Sequence, residues 1–168
     1  ETRLGDDSYG ATFGAMSEEY LFWYFHELHM YQFTTGQDRV ISTEASDGFI
    51  PQIAADWVIF GHYNAPTQPP YGTLYVTNIQ THEIITLTQA LGTRGDGYLN
   101  YYFGISPFLA AWFEPPRTIV VYDLQSRQEI TRLVDVDTVF HQKDIPILNL
   151  SPGETIVTWG RHYGYDLV

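Results

Sequence analysis

The sequence contains no cysteine, so neither disulfide bonds nor thiolate-bound metal ions can stabilise the fold. Lys143 is its single lysine, and eight basic residues face 20 acidic ones, which gives a formal net charge of −12 at pH 7. Proteins that bind nucleic acid neutralise phosphates with clustered Lys and Arg. This composition therefore argues against nucleic acid as a partner, and the packing of apolar side chains must hold the chain together.

Long apolar runs and helical periodicity are also missing. No stretch approaches the roughly 18 uninterrupted apolar residues of a membrane-spanning helix, and no segment of about eleven residues or more keeps a 3.6-residue period. The chain is 44% apolar, 17% charged and 16% aromatic, and aromatic and β-branched side chains favour strands. We therefore expect an all-β protein with no membrane span and no helix longer than about two turns.

An internal repeat organises the chain. Four apolar strands that carry an aromatic residue read YLFWY at 20–24, WVIFG at 57–61, LAAWF at 109–113 and IVTWG at 156–160. In the run after each, the equivalent positions are Phe33, Ile79, Leu124 and Leu167, at steps of 46, 45 and 43 residues. A period of about 40 to 45 residues with four short strands is typical of β-propellers. The recurring aromatic positions, expected to form the core between blades, are Trp23, Phe60, Trp112 and Trp159.

Each repeat predicts one propeller blade of four antiparallel strands, and the chain holds four such repeats. Short strands with a turn precede the aromatic strands (FGAMSEE, IPQIAAD, FGISPF and ILNLSPGE), and outer strands follow in three repeats (QDRVIST, HEIITLT and RQEITRL). The predicted blades are 9–43, 48–88, 99–134 and 145–168, the last without its outer strand. Residues 1–4 (ETRL) match EITRL at 129–133 and are predicted to be the outer strand of a preceding or closing blade.

This offset by one strand has two explanations. A closed propeller fastens its ends by adding the N-terminal strand to the last blade, so that no sheet edge stays open. A piece of a longer propeller would show the same offset, and additional blades or protomers would then complete the ring. The sequence leaves both explanations open.

The repeats resemble those of TolB-like and YVTN-like (WD-repeat-like) β-propellers. The resemblance rests on a turn like S-P-D-G at Ser151, Pro152 and Gly153 with Trp159, on V-Y-D-L at 121–124, and on Thr35 with Gly36. It implies a periplasmic, secreted or scaffold protein, and in some cases the propeller half of a serine peptidase. We therefore expect a non-catalytic protein-interaction or scaffolding module that is periplasmic or secreted. The alternative is the propeller domain of a serine hydrolase or carbohydrate-active enzyme whose catalytic residues lie outside this chain.

Few residues are candidates for chemistry, and no catalytic residue, cofactor or metal site is predicted. The nearest match to the G-x-S-x-G motif of serine hydrolases is GISPF, which lacks the final glycine, so Ser106 is predicted to be a turn residue. His26, His62 and His162 follow the aromatic strands at comparable places. They are weak candidates for a ring of metal ligands, and exposed turn histidines explain them equally well.

Two proline-rich loops join the second and third strands of the second and third blades. They read NAPTQPPYG at 64–72 and FEPPR at 113–117. Prolines fix an extended backbone in advance, so such loops offer a contact surface at small entropic cost. The candidate residues for binding a protein partner are Pro66, Pro69, Pro70, Tyr71, Glu114, Pro115, Pro116 and Arg117.

Overall fold

The computed structural model describes residues 12–25, 27–43, 50–63, 72–91, 103–114, 118–134, 144–150 and 157–163. Every regular element in this part of the chain is a β-strand, and no helix occurs in it, as predicted. The strands are β1 (Thr12–Met16), β2 (Tyr20–Phe25), β3 (Glu27–Gln32), β4 (Gln37–Ser42), β5 (Gln52–Ala54), β6 (Trp57–Tyr63), β7 (Gly72–Asn78), β8 (Ile84–Leu91), β9 (Phe103–Ile105), β10 (Leu109–Glu114), β11 (Thr118–Asp123), β12 (Gln128–Leu133), β13 (Asp144–Leu150) and β14 (Val157–Tyr163).

The strands form three antiparallel sheets of four and one pair. The sheets run in the orders β1-β2-β3-β4, β5-β6-β7-β8 and β9-β10-β11-β12, and β13 pairs with β14. We call the three larger sheets blades 1, 2 and 3. Four blades, the last without its outer strand, were expected, but the described residues contain three four-stranded sheets and one pair of strands. The predicted third strand of the fourth blade and the predicted strand at residues 1–4 lie outside the described residues.

One hairpin turn repeats between the third and fourth strands of every blade. Its fourth residue has a positive φ, of 67° at Gly36, 62° at His82 and 60° at Arg127. The N–H of each of these residues donates to the carbonyl oxygen four residues earlier, at 2.9 Å in all three turns. Glycine adopts this left-handed conformation without steric cost, whereas His and Arg do so only because the strands on both sides impose it.

A second hydrogen bond ties this turn to the turn between the first two strands of the same blade. The N–H groups of the equivalent residues donate to carbonyl oxygens at 2.9, 2.7 and 2.9 Å, in the pairs Phe33 to Glu19, Ile79 to Asp56 and Leu124 to Phe108. The predicted steps of 46 and 45 residues are therefore confirmed as structural equivalences. Leu167, the fourth member of the series, lies outside the described residues.

The hydrophobic core lies between the blades rather than within them. One cluster joins Phe22, Tyr24, Leu28 and Met30 of blade 1 to Val58, Phe60 and Ile79 of blade 2. A second cluster joins Ile59, Leu74 and Val76 of blade 2 to residues of blade 3 that include Phe103, Trp112, Ile119 and Leu124. Successive side chains of a strand point to opposite faces, so β6 contributes alternately to both clusters.

The innermost strands of successive sheets lie beside one another. Strand β5 contacts β1 on one side and β9 on the other, and β9 contacts β13. The Gln52 side chain donates to the carbonyl oxygen of Phe103 at 3.1 Å, which links β5 to β9. At Gly14 of β1 the backbone approaches so closely that an added Cβ would lie 2.3 Å from Pro51. Sheets that pack face to face with their first strands together radiate from one centre. They are propeller blades.

The recurring aromatic residues are buried, but they do not all face a described blade. Phe60 and Trp112 lie in the clusters between blades, as expected. Trp23 is 7% exposed and belongs to neither cluster; its ring stacks on His29 with the centroids 4.1 Å apart. Because Phe22 and Tyr24 face blade 2, Trp23 between them faces away from it. The Trp159 side chain lies outside what the structure describes.

Candidate functional site

The antiparallel strand order gives the blades two different edges. The turns between the first and second strands and between the third and fourth strands lie on one edge, which we call the turn edge. The connections between the second and third strands and between successive blades start from the opposite edge, the loop edge. Both proline-rich loops start from the loop edge. Long connections of this kind are where binding residues most often occur on a rigid scaffold.

The strands that carry the two loops stay paired up to their last residues. In blade 2, Tyr63 at the end of β6 is opposite Gly72 at the start of β7. In blade 3, Glu114 at the end of β10 is opposite Thr118 at the start of β11. The loops therefore begin from ordered stems. The candidate residues within them lie outside the described residues and stay predictions: Pro66, Pro69, Pro70, Tyr71, Pro115, Pro116 and Arg117.

Glu114 is the candidate loop residue whose side chain the structure describes. Its Oε1 accepts hydrogen bonds from Trp112 Nε1 at 3.0 Å and from Thr88 Oγ1 at 2.8 Å. Its Oε2 accepts one from Arg132 Nη1 at 2.6 Å. Thr88 belongs to blade 2 and the other two residues to blade 3, and the Glu114 side chain is only 15% exposed. The Glu114 carboxylate joins two blades at the base of a loop, and its role in binding a partner stays a prediction.

The electrostatics of this cluster favour the charged carboxylate. Burial by itself raises the pKa of Glu114, but the hydrogen bonds from Trp112, Arg132 and Thr88 outweigh burial and hold the pKa below its usual value. Hydrogen bonds to Glu129 and Glu114 raise the pKa of Arg132. Both partners therefore stay ionised near neutral pH, and the contact between the blades is charge-assisted.

Among the three candidate histidines, His62 is the one whose side chain the structure describes. His62 lies within β6, half-buried, and its Nδ1 is buried without a hydrogen-bond partner. His162 lies in β14 opposite Ile145, and His26 lies outside the described residues. His62 lies two residues after Phe60 in β6, so alternation places both side chains on the same face of the strand. Across the described ranges, no three His, Asp or Glu side chains converge as metal ligands.

Ser106 has the turn role that its sequence context predicts. Its Oγ accepts hydrogen bonds from the N–H of Phe108 at 3.3 Å and of Leu109 at 3.0 Å, and the residue is 1% exposed. Ser17 caps the equivalent turn of blade 1 in the same way, accepting from the N–H groups of Glu19 and Tyr20. A hydroxyl held in this way supports a tight reversal of the chain.

Comparisons with known proteins concern the fold. No protein-family model and no curated protein sequence matches the chain. Among solved structures, it is similar to the crystal structure of TolB from Acinetobacter baumannii, with 14% sequence identity and a TM-score of 0.48. The matched region covers 91% of this chain and 41% of the TolB chain, so the present chain spans less than half of TolB. The blades are recognised here by strand order and packing rather than by this likeness.

Polar contacts between blades at the turn edge were not expected from the sequence. The guanidinium of Arg127 in blade 3 pairs with the Glu83 carboxylate of blade 2. Arg39 of blade 1 reaches the turn of blade 2, where its Nη1 lies 2.7 Å from His82 Nε2 and its Nη2 donates to the Ile79 carbonyl oxygen at 3.0 Å. His82 and Arg127 occupy the position of Gly36 in the repeat. Polar side chains at a position that suits glycine were the sequence signal for these contacts.

In the part of the chain that the structure describes, no helix is long and apolar enough to cross a membrane.

Proposed function

We propose that the chain is a non-catalytic β-propeller module that binds a protein partner through its loop edge. The proposal rests on one observation, which is that the strands below both proline-rich loops stay paired up to the start of the loops. Strands β6 and β7, and likewise β10 and β11, pair up to the residues that start the proline-rich loops. Ordered stems and proline-restricted loops lose little conformational entropy when a partner binds. The contact residues we propose are Pro66, Pro69, Pro70, Tyr71, Pro115, Pro116 and Arg117.

Glu114 has a supporting part in this proposal. Its hydrogen bonds to Thr88 and Arg132 fix the end of β10, from which residues 115–117 continue. In this way the contact between blades 2 and 3 also sets the direction in which the loop leaves the sheet. The location we propose is periplasmic or secreted, which is the expectation from the resemblance of the repeats.

We further propose that β13 and β14 are the first two strands of a fourth blade. Strand β13 contacts β9 and β10 of blade 3, just as β9 contacts β5 and β6 of blade 2. The sequence supplies a predicted third strand at 163–168. The fourth strand comes either from residues 1–4, which closes the ring, or from additional blades or protomers.

Site-specific photo-crosslinking tests the binding role. We would place benzoylphenylalanine at Tyr71 or Pro116 on the loop edge, and at Gln125 or Ser126 on the turn edge of blade 3 as matched controls, in the full-length gene product in its native host. The loop-edge positions should each give the same discrete adduct with one protein, and the turn-edge positions should not. Equal adducts from both edges, or no discrete adduct from the loop edge, would reject the proposal.

A serine-directed fluorophosphonate probe tests the enzyme alternative on the same full-length product. The proposal expects no labelling. Labelling at a serine outside these 168 residues would favour the propeller domain of a hydrolase.

A further inference from the structure

An open groove lies between blades 1 and 2 at the turn edge, opposite to the loops. It has a volume of ≈ 240 Å³, and a second hollow of ≈ 250 Å³ shares two of its residues, Arg39 and His82. Strand β4 supplies Arg39, and the turn of blade 2 supplies His82. The other side chains around the groove are neutral and include Gln32, Gln37, Gln80 and Tyr20.

The guanidinium of Arg39 is held in place within this groove. Its Nη2 donates to the Ile79 carbonyl oxygen at 3.0 Å and lies 3.8 Å from Met30 Sδ, and its Nη1 lies 2.7 Å from His82 Nε2. Because arginine is always a donor, His82 Nε2 accepts in this contact. A guanidinium has five N–H donors, so these contacts leave some of them for a ligand. His82 acts here as a positioning residue.

The charge around Arg39 is unusual for this protein. The chain has 20 acidic and eight basic residues. Of the three arginines whose side chains the structure describes, Arg127 pairs with Glu83, and Arg132 pairs with Glu114 and Glu129. Arg39 pairs with no carboxylate among the described residues, and none of the described residues that line the groove is acidic. A positioned guanidinium that pairs with no described carboxylate, in a chain rich in carboxylates, has the character of an anion site.

We propose that this groove binds a single carboxylate through Arg39. The planar guanidinium matches a carboxylate in shape and charge, and the glutamine amides beside it can donate further hydrogen bonds. The net charge of −12 repels a run of acidic residues. The ligand therefore presents a single carboxylate to Arg39, either the acidic side chain of a peptide whose other residues are neutral or basic, or one end of a free dicarboxylic acid.

Nuclear magnetic resonance titration of the full chain tests this site and separates the two sources. The probes are two blocked pentapeptides, Lys-Ala-Glu-Ala-Lys and Lys-Ala-Gln-Ala-Lys, and sodium succinate, each at an ionic strength matched with sodium chloride. The glutamate peptide or succinate should shift the Arg39 Nε–H signal and the backbone amides of Gln37 and Gln80. The glutamine peptide should not. A shift with the glutamate peptide alone indicates a peptide ligand, and a shift with succinate alone indicates a small acid.

Three variants test which residues bind. Arg39→Gln should weaken carboxylate binding by about tenfold or more, the usual effect of losing a charge-assisted hydrogen bond. Arg127→Gln, which removes a paired guanidinium from the equivalent turn of blade 3, should leave binding unchanged. His82→Asn tolerates the positive φ, keeps Arg39 and should weaken binding by about threefold. Thermal unfolding verifies that each variant is folded. If Arg39→Gln does not fold, carboxylate binding by the His82→Asn variant tests the proposal.

Two results would refute the proposed carboxylate site. One is the same response to the glutamate and glutamine peptides with none to succinate, and the other is carboxylate binding that both the Arg39→Gln and His82→Asn variants retain at full strength. The groove and the proline-rich loops lie on opposite edges, so neither result bears on the loop-edge crosslinking. Failure of the crosslinking would equally leave this site standing.

Discussion

Blades 1 and 2 have the same strand order but different surroundings. Blade 2 packs against blade 1 on one face and against blade 3 on the other, and its apolar residues divide between the two clusters. Within the described ranges, blade 1 contributes to one cluster. The equivalent turn residues show the effect, because Ile79 and Leu124 are 3% and 1% exposed, whereas Phe33 is 44% exposed.

This difference shows that burial in a repeat depends on the neighbouring blade more than on the repeat itself. Ile79 is buried because blade 1 covers it, and Leu124 because blade 2 does. Phe33 has an equivalent backbone and an equally apolar side chain, yet no described blade covers it. We expect the free energy of unfolding to be concentrated at the two interfaces between blades, where most of the apolar area is removed from water.

The largest expected effect is at Trp112, in the cluster between blades 2 and 3. Trp112→Ala should lower the free energy of unfolding by about 3 to 5 kcal/mol, the usual cost of truncating a large buried aromatic residue. Urea denaturation measures it. Trp23→Ala, at the equivalent place in blade 1 on the face where no described blade packs, is the matched control and should cost less. Equal losses would mean that the neighbouring blade does not determine the stability.

The next effect compares Ile79 with Phe33 in equivalent turns. Ile79→Ala should cost about 2 to 4 kcal/mol because it leaves a cavity between two blades. Phe33→Ala should cost less than about 1 kcal/mol, although it removes more atoms, since its side chain is already largely in water. The same denaturation experiment gives both values, and a larger loss for Phe33→Ala would refute the comparison.

A substitution at Gly14 tests the contact between the inner strands of blades 1 and 2 independently of the hydrophobic core. Gly14→Ala would place a Cβ 2.3 Å from Pro51, so one of the two strands must shift. We expect a loss of about 1 to 3 kcal/mol, typical of overpacking. The exposed Gly36→Asn change, in a turn with a positive φ that Asn tolerates, is the control and should cost less. An unchanged stability for Gly14→Ala would show that β1 and β5 are not in close contact.

The smallest effect concerns the polar contact between blades 2 and 3. Glu114→Gln should cost about 1 to 2 kcal/mol near neutral pH, because charge-assisted hydrogen bonds become neutral ones. The pKa of Glu114 is lowered in the folded protein, so its contribution is present above the unfolded pKa of about 4.3 and is lost as the pH falls through the lower folded value. Wild type and variant should therefore converge in acid.

Urea denaturation between about pH 7 and pH 3 provides this test. Glu129→Gln removes the exposed partner of the same Arg132 and should cost less near neutral pH, since exposed ion pairs contribute little. A difference between wild type and Glu114→Gln that persists undiminished in acid would contradict the assignment of the ionised form.

The strands and their period could be predicted from the sequence because both are local. Alternation and turn residues identify a strand such as Leu109–Glu114, and the repeat identifies Ile79 and Leu124 as equivalents. The different exposure of Phe33 could not be predicted, since it depends on which blade lies beside it. Neither could the position of the Glu114 carboxylate, because Thr88 lies 26 residues earlier in the sequence and meets it only when blades 2 and 3 pack.

The candidate site also has features that could be predicted from the sequence and features that could not. The proline-rich loops can be identified from the sequence alone, and the strand order shows that both start from the loop edge. The contact between Arg39 and His82 joins residues 43 positions apart, through a turn whose positive φ the residue type does not suggest.

Native-state hydrogen exchange tests the central claim, that contacts between blades stabilise this chain. It compares equivalent strands directly, namely β6 and β7 of blade 2 with β2 and β3 of blade 1. All four lie in the middle of a four-stranded sheet, so sheet pairing alone would protect them equally. We expect the amides of β6 and β7 to exchange more slowly, because blade 2 is covered on both faces. Equal protection in the two pairs of strands, or slower exchange in β2 and β3, would contradict it.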